Sequence, residues 1–157
     1  MHVGHRLGVG LLVGGTPFVG RTGAAGEIGR HPVFGWNEAP GLLAAAADRL
    51  PTPIRTSGCW PAPRGATGPV AAFDAFAASL ASGIAAVSLS VDPSLVVIGG
   101  GVTRAGGWIL DPIRRHLAEL CYDAPALALS TLGDDAVNTG AVEVARDRLR
   151  SHLFDRA

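Results

Sequence analysis

The chain has 157 residues and a formal net charge of zero, and 48% of its residues are hydrophobic while 17% are charged. This length suits one globular domain with a substantial core and disfavours a second complete domain. The neutral charge provides no basic surface for a nucleic-acid backbone, so we expect no DNA binding by this chain.

The sequence has no run that approaches the 18 continuous apolar residues typical of a membrane span. Its longest apolar region, residues 70–91, contains Asp74 and five serine or glycine residues, which favours a buried helix. The first residues lack the pattern of a secretory signal peptide. Cys59 and Cys121 are far apart and lack the CxxC spacing of a zinc site. We therefore expect a cytoplasmic protein without membrane association.

The first third of the chain predicts a β-hairpin and then an irregular segment. Leu7–Val13 has the pattern of a strand, Gly14-Gly15 that of a hairpin turn, and Thr16–Val19 that of the partner strand. Residues 20–35 have the glycine-rich composition of a loop. A strand this close to the first residue needs neighbours, so we expect the chain to be a fragment of a longer protein.

The rest of the sequence alternates between helix and strand patterns, which is typical of an α/β fold. A short helix is predicted at 41–50, and residues 51–69, with five prolines, predict an irregular surface loop. The run SLVVIGGG predicts a strand that is buried on both faces. The other predicted elements are helices at 70–91, 103–120 and 138–149, the last with Val142, Ala145 and Leu149 inward, and a strand at 126–131.

Two glycine clusters are candidates for ligand binding. The segment GHRLGVG carries Gly4, Gly8 and Gly10, where absent side chains let backbone N–H groups approach an anion. Glycine in a tightly packed strand explains this cluster as well. The triple glycine at 99–101 follows a strand, where open α/β sheets bind ligands, although a plain tight turn explains it equally well.

A third candidate is the stretch GAAGEIGRHPV, which places Glu27, Arg30 and His31 in a glycine-rich loop. A carboxylate such as Glu27 can accept paired hydrogen bonds from vicinal hydroxyls. It could also act as a general base, but no serine, cysteine or metal cluster lies near it in sequence. A solvated loop with an ion pair remains the other interpretation.

Taken together and in order, three stretches resemble the second half of the ROK family of sugar kinases and sugar-responsive transcriptional repressors. They are GVGLLVGGTPFVGRTGAAGEIGRHPV, DPSLVVIGGGVTRAGGWILDPIRRHLAEL and LGDDAVNTGAVEVA. The resemblance is weakest at residues 36–69. It implies the C-terminal lobe of an actin-like ATPase of ribonuclease H type, with a mixed sheet and packed helices over residues 1–157, interrupted by the loop at about 51–69.

The resemblance also implies a role for each cluster. Nucleotide-binding positions of the family map onto Gly4, Gly8 and Gly10 for the phosphates and onto Gly99, Gly100 and Gly101 for the sugar and base of the nucleotide. The family motif GExGH holds sugar hydroxyls through its glutamate, which maps onto Glu27. Arg30 stands where the family has histidine, and His31 follows one residue later.

Several departures from the family pattern bear on cofactors. The family's Gly-Thr-Gly reads Gly4-His5-Arg6 here, which puts bulky side chains near the phosphates and argues against ATP binding. The cysteine run that holds zinc in the family is absent and Cys59 stands alone, so we expect no zinc or other metal. ATP and magnesium are expected only if the parent protein is a kinase.

Three interpretations of function follow. The family's DxGxT phosphate loop and ND pair are not found in this sequence, so we expect an absent N-terminal lobe and no catalysis by this chain alone. The first interpretation is the sugar-effector-binding lobe of a transcriptional regulator, and the alternative is the C-terminal lobe of a glucokinase-like, ATP-dependent sugar kinase. The third is an inactive truncated reading frame. Uncovered apolar area predicts pairing with the missing lobe or with a second copy.

Overall fold

The computed structural model describes residues 1–4, 6–39 and 69–154. The strands of these ranges are β1 (His2–Val3), β2 (Leu7–Gly8), β3 (Leu11–Val13), β4 (Thr16–Phe18), β5 (Leu95–Ile98) and β6 (Ala126–Leu129). The α-helices are α1 (Pro69–Val91), α2 (Gly107–Leu120) and α3 (Ala136–Phe154). The helix predicted at 41–50 and the proline-rich loop up to residue 68, with Cys59, lie outside the described residues.

Strands β1 and β2 form one two-stranded sheet and β5 and β6 form another, and an isolated bridge beside β5 joins them in the order β2-β1-β5-β6. Strands β1 and β2 are antiparallel with His2 opposite Gly8, and β5 and β6 are parallel. A bridge between His2 and Gly99 joins the two pairs. The amide of Val3 donates to the Gly99 carbonyl at 2.8 Å, and the Gly99 amide donates to the Met1 carbonyl at 2.9 Å. The predicted mixed sheet is therefore present.

Helices α1 and α2 pack against each other and against one face of this sheet. Their apolar side chains recur at helical spacing, so each helix buries one stripe. The largest fully buried side chains are Phe76, Leu80, Ile98, Val102, Ile109, Ile113 and Leu117. The stretch Phe73–Val91 is also long and apolar enough to cross a membrane. Side chains of this stretch such as Phe76 and Leu80 lie in the core, as the sequence predicted for a buried helix.

The predicted single strand Leu7–Val13 is wrong, because the structure divides it. Strand β2 pairs with β1, whereas β3 pairs with β4 across the predicted turn at Gly14-Gly15. The division falls at Val9, where the next loop presses closely: a Cβ on Gly26 would lie 2.1 Å from the Val9 carbonyl oxygen. Strand β1 was not predicted, because two residues are too short to show a period.

Other element boundaries also differ from the prediction. The segment predicted as one helix at 103–120 begins as a 3-10 helix, Gly101–Ala105, and α2 starts only after Gly106. Gly106 has φ 56° and ψ −131°, a conformation outside the helical region that interrupts the helix. The last strand ends at Leu129 rather than at residue 131, and the last helix is longer than the predicted 138–149.

Two predictions of burial are wrong. Strand β5 is not buried on both faces, because Leu95 and Val97 are 50% and 41% exposed while Ile98 is buried. Helix α3 does not turn its apolar residues inward: Val142 and Leu149 are 56% and 58% exposed, and no described residue of α3 is buried. In both cases the pattern is apolar, but no described element covers that face.

Candidate functional site

The turn after β1 and the loop after β5 meet at the edge of the sheet. Gly100 is buried and has φ 93° and ψ −172°, a conformation that essentially only glycine adopts. A Cβ on Gly100 would lie 2.2 Å from the Val3 carbonyl oxygen. A Cβ on Gly4 would lie 2.8 Å from Nε2 of His2, which is close to Gly100 as well. The structure thus brings Gly4 together with the triple glycine, as a shared site requires.

Gly8 and Gly10 differ from these two glycines. Both are exposed, neither has a positive φ, and no described atom lies within 4 Å of a Cβ built on either residue. Tight packing, which was the alternative explanation for the cluster of Gly4, Gly8 and Gly10, accounts for Gly4 and does not account for Gly8 or Gly10. The open space beside them leaves the backbone accessible to a ligand.

In the loop after β5, the Gly100 carbonyl accepts hydrogen bonds, whereas two amide groups have no described acceptor. Both the amide and the hydroxyl of Thr103 donate to the Gly100 carbonyl, at 3.1 and 3.0 Å. The N–H groups of Gly100 and Gly101 donate to no described acceptor. Since backbone donors near the protein interior are normally paired, these two groups are suited to an acceptor supplied by a ligand.

The loop that carries the predicted hydroxyl-binding residues packs on β2. It forms a 3-10 helix at Glu27–Arg30, preceded by Gly26 with φ 91°. Gly26 presses against the Val9 carbonyl. A Cβ on Gly29 would lie 2.9 Å from the Trp36 ring and 3.4 Å from the Leu7 carbonyl oxygen. Because both glycines touch backbone or an indole, the loop is held at a fixed place beside the strand.

Glu27, Arg30 and His31 are all exposed on this loop. No ion pair joins the Glu27 carboxylate to any side chain in the described ranges, so the ion-pair interpretation finds no support there. Arg30 follows Glu27 by three residues, and residues three apart in a 3-10 helix lie on the same side. The structure therefore brings the predicted carboxylate and guanidinium to one surface.

His31 has a defined orientation. Its Nδ1 accepts a hydrogen bond from the Val33 amide at 3.3 Å and so caps the next 3-10 helix, Pro32–Phe34. With Nδ1 as an acceptor, Nε2 is the ring nitrogen that can carry the hydrogen. The imidazole also lies edge-on to Phe34, with 6.0 Å between ring centroids. His31 can therefore offer one N–H donor to a ligand.

Trp36 is a positioning residue that the sequence analysis missed. It is buried, and its Nε1 donates to the Ser79 carbonyl at 2.8 Å, while the Ser79 hydroxyl donates to the Phe34 carbonyl at 2.8 Å. These bonds attach the loop to α1. A Cβ on Gly83 would lie 2.2 Å from the indole, so this glycine in the middle of a helix was the available signal.

The described ranges contain no cluster of three His, Cys, Asp or Glu side chains that could hold a metal ion. Cys121 is a free thiol, and burial raises its pKa, which disfavours the thiolate that metals bind. The other cysteine, Cys59, lies beyond the described ranges. Asp74 on α1 bonds to Arg115 and His116 on α2, and this charged cluster contains no residue of the glycine site.

The comparisons with known proteins point in one direction. The ROK family model matches residues 41–148, a range that includes the triple glycine but not the segments at 4–10 and 23–33. A glucokinase from Halalkalibacterium halodurans is 29% identical over an alignment of 171 residues, which covers 85% of this chain and 51% of that protein.

Two solved structures share the fold. A ROK family glucokinase from Streptomyces griseus, in complex with glucose and AMPPNP, matches 93% of this chain and 59% of its own, with 24% identity and a TM-score of 0.71. A proposed sugar kinase from Cytophaga hutchinsonii matches 92% of this chain and 56% of its own, with 17% identity and a TM-score of 0.68. The predicted actin-like ATPase fold is confirmed. The chain spans between half and three fifths of the length of these relatives.

Proposed function

Because this chain belongs to the ROK family, we propose that it forms the nucleotide- and sugar-binding lobe of an ATP-dependent sugar kinase. The curated relative that it matches is a glucokinase, and one structural neighbour is a ROK family glucokinase. These likenesses favour the kinase over the regulator that the sequence analysis placed first. Since the chain covers about half of the glucokinase, the activity of a whole kinase is part of the proposal.

One observation carries the proposal: both candidate ligand surfaces adjoin the same strand, β2. Gly8 lies opposite His2 in the glycine-rich region, while the loop with Glu27 packs on the Leu7 and Val9 carbonyls. A kinase must place the phosphate donor and the hydroxyl acceptor side by side, because its rate enhancement comes mainly from positioning and charge stabilisation. Two surfaces on adjoining parts of one strand meet that requirement.

The loop residues suit a sugar. The Glu27 carboxylate accepts hydrogen bonds from two adjacent hydroxyls, and the Arg30 guanidinium and Nε2 of His31 donate to sugar oxygens. His31 thus takes the place of the family's histidine with a shift of one residue, in an orientation fixed by its bond with Val33. Glu27 holds the sugar and is not assigned as the general base.

The glycine region suits the nucleotide. The N–H groups of Gly100 and Gly101, which have no described acceptor, donate to oxygen atoms of the ligand, and the open backbone at Gly8 and Gly10 lets phosphates approach closely. When bound, ATP would supply the phosphoryl group, and magnesium would neutralise the negative charge of the ATP phosphates. Since no catalytic base is assigned within this chain, we expect it to bind both ligands without turning them over.

The test is an NMR titration of the ¹⁵N-labelled chain, first with magnesium and AMPPNP and then with glucose and N-acetylated amino sugars. We expect AMPPNP to shift the amide signals of Gly100 and Gly101, and a sugar to shift those of Glu27, Arg30 and His31. The absence of shifts with every ligand would refute the proposal and favour the truncated, inactive form.

A second candidate function rests on Gly4-His5-Arg6, which replaces the family's Gly-Thr-Gly. That replacement favours an effector-binding lobe of a regulator, which has no need of ATP. In the same titration this candidate predicts shifts with a sugar and none with AMPPNP. AMPPNP therefore distinguishes the two functions, because only the kinase lobe is expected to bind it.

A further inference from the structure

The structure assigns a ligand-binding role to His2, a residue outside all three clusters. We propose that His2 binds a phosphate group of the nucleotide through Nε2 and thereby sets affinity for the phosphorylated part of the ligand. This inference rests on the proposed function, since it concerns the same nucleotide site. It adds a side chain to a set of candidate nucleotide-binding residues that otherwise consists of glycines.

The surroundings of His2 are its most informative feature, because four glycines lie beside it. Gly8 is its partner on β2, Gly99 is its bridge partner beside β5, and Gly4 follows directly after β1. Positions built for a Cβ on Gly4 and Gly100 lie 2.8 Å from Nε2 and 3.2 Å from Cε1 of the ring. One imidazole therefore stands on a surface formed by glycine backbone.

Packing does not explain a histidine at this place. Successive strand residues point to opposite faces, and Val3 is buried in the core against α1 and α2. His2 consequently lies on the other face, where Leu95 and Val97 are also exposed. The ring is only partly buried, and no described group forms a hydrogen bond with it. Its ring nitrogens therefore have no described hydrogen-bond partner that a ligand would have to displace.

The groups around His2 suit binding of a phosphate anion rather than binding of the nucleotide base. Cε1 lies beside Gly100, whose N–H group, like that of Gly101, has no described acceptor. Arg6 is exposed in the turn that joins β1 to β2 and brings a positive charge to the same end of the strand pair. Backbone N–H groups, an imidazole and a guanidinium together are the donors that proteins use for phosphate.

Three variants of His2 test the inference. His2→Phe keeps a ring over the glycines and removes the ring nitrogens, whereas His2→Gln keeps a hydrogen-bond donor. His2→Ala removes the ring and replaces the phenylalanine variant if that variant does not fold. Dissociation constants for AMPPNP with magnesium and for adenosine are measured by NMR titration of the full chain, after the amide spectrum shows that each variant is folded.

We expect His2→Phe to weaken AMPPNP binding by about tenfold, the factor for one charge-assisted hydrogen bond. His2→Gln should stay within roughly threefold of the unmodified chain, and adenosine affinity should not change in any variant. Unchanged AMPPNP binding by His2→Phe would overturn the inference, as would an equal loss for adenosine, which indicates stacking on the base. If the unmodified chain binds no AMPPNP, the proposed kinase function fails together with this inference.

Discussion

At the scale of the residue, Gly100 and Gly10 differ in what a side chain would meet. Gly100 has φ 93°, and a Cβ there would lie 2.2 Å from the Val3 carbonyl oxygen, whereas a Cβ on Gly10 meets no described atom within 4 Å. We expect Gly100→Ala to lower the free energy of unfolding by about 2–4 kcal/mol and Gly10→Ala to change it by less than about 1 kcal/mol.

Urea unfolding followed by circular dichroism measures both values. If Gly100→Ala is as stable as the unmodified chain, the conclusion that β1 packs closely against the triple glycine is wrong. Gly10→Ala should still reduce AMPPNP affinity, because the added methyl group occupies the space left for the ligand. Gly10→Ala therefore separates a glycine kept for a ligand from one kept for the fold.

Glu27 provides a second prediction at this scale. Glu27→Gln removes the charge and preserves the shape, so we expect sugar affinity to fall about tenfold, because hydrogen bonds to charged groups are stronger than neutral ones. Stability should not change, since the carboxylate is exposed. Isothermal titration calorimetry gives the affinity. Glu38→Gln is the matched control on another exposed carboxylate, and sugar binding that survives Glu27→Gln would remove this residue from the site.

At the scale of the element, the contact between Trp36 and α1 fixes the loop. A Cβ on Gly83 would lie 2.2 Å from the indole, whose Nε1 is already bonded to the Ser79 carbonyl. We expect Gly83→Ala to lower the free energy of unfolding by about 1–3 kcal/mol, because the buried ring has to move. It should also weaken sugar binding, since the ring supports the loop.

Gly140→Ala on α3 is the control for this substitution. Gly140 is exposed, and no described atom lies within 4 Å of a Cβ built on it. Alanine favours a helix by up to about 1 kcal/mol over glycine, so stability should be equal or higher. Thermal and urea unfolding of both variants decide the matter: a loss for Gly140→Ala equal to that for Gly83→Ala would contradict the role assigned to the Trp36 contact.

The elements also show how far the sequence was sufficient. Helical periodicity correctly predicted the buried stripes of α1 and α2, including Phe76, Leu80 and Ile109. The same reasoning was wrong for α3, where Leu149 is exposed. A period shows which residues share a face, but it does not show whether another element covers that face.

The candidate site was predictable in part for a similar reason. Glycine spacing and the family resemblance located the loop with Glu27 and the glycines around Gly100, because these patterns are local in the sequence. The role of His2 was missed, because it depends on pairing with Gly8 and on a bridge to Gly99. Such contacts join segments that are distant in the sequence, and a two-residue strand is too short to have a pattern that predicts them.

At the scale of the whole molecule, the largest exposed apolar side chains of the described residues include those of the β3–β4 hairpin and of α3. On the hairpin of β3 and β4, Leu12 and Phe18 are 70% and 52% exposed, and on α3, Leu149 and Phe154 are 58% and 74% exposed. Apolar surface of this kind marks an interaction site or promotes association. The formal net charge of zero adds no repulsion between copies.

We therefore expect the chain to self-associate as its concentration rises, with the exposed apolar residues in the contact. Size-exclusion chromatography with light scattering measures the mass from low to high concentration. Leu12→Glu and Leu149→Glu should each shift the distribution towards the monomer, because each introduces a charge into apolar surface. Tyr122→Ser, at a fully exposed residue before β6, is the control and should leave the mass unchanged. A monomeric mass at every concentration would show that these surfaces need no partner.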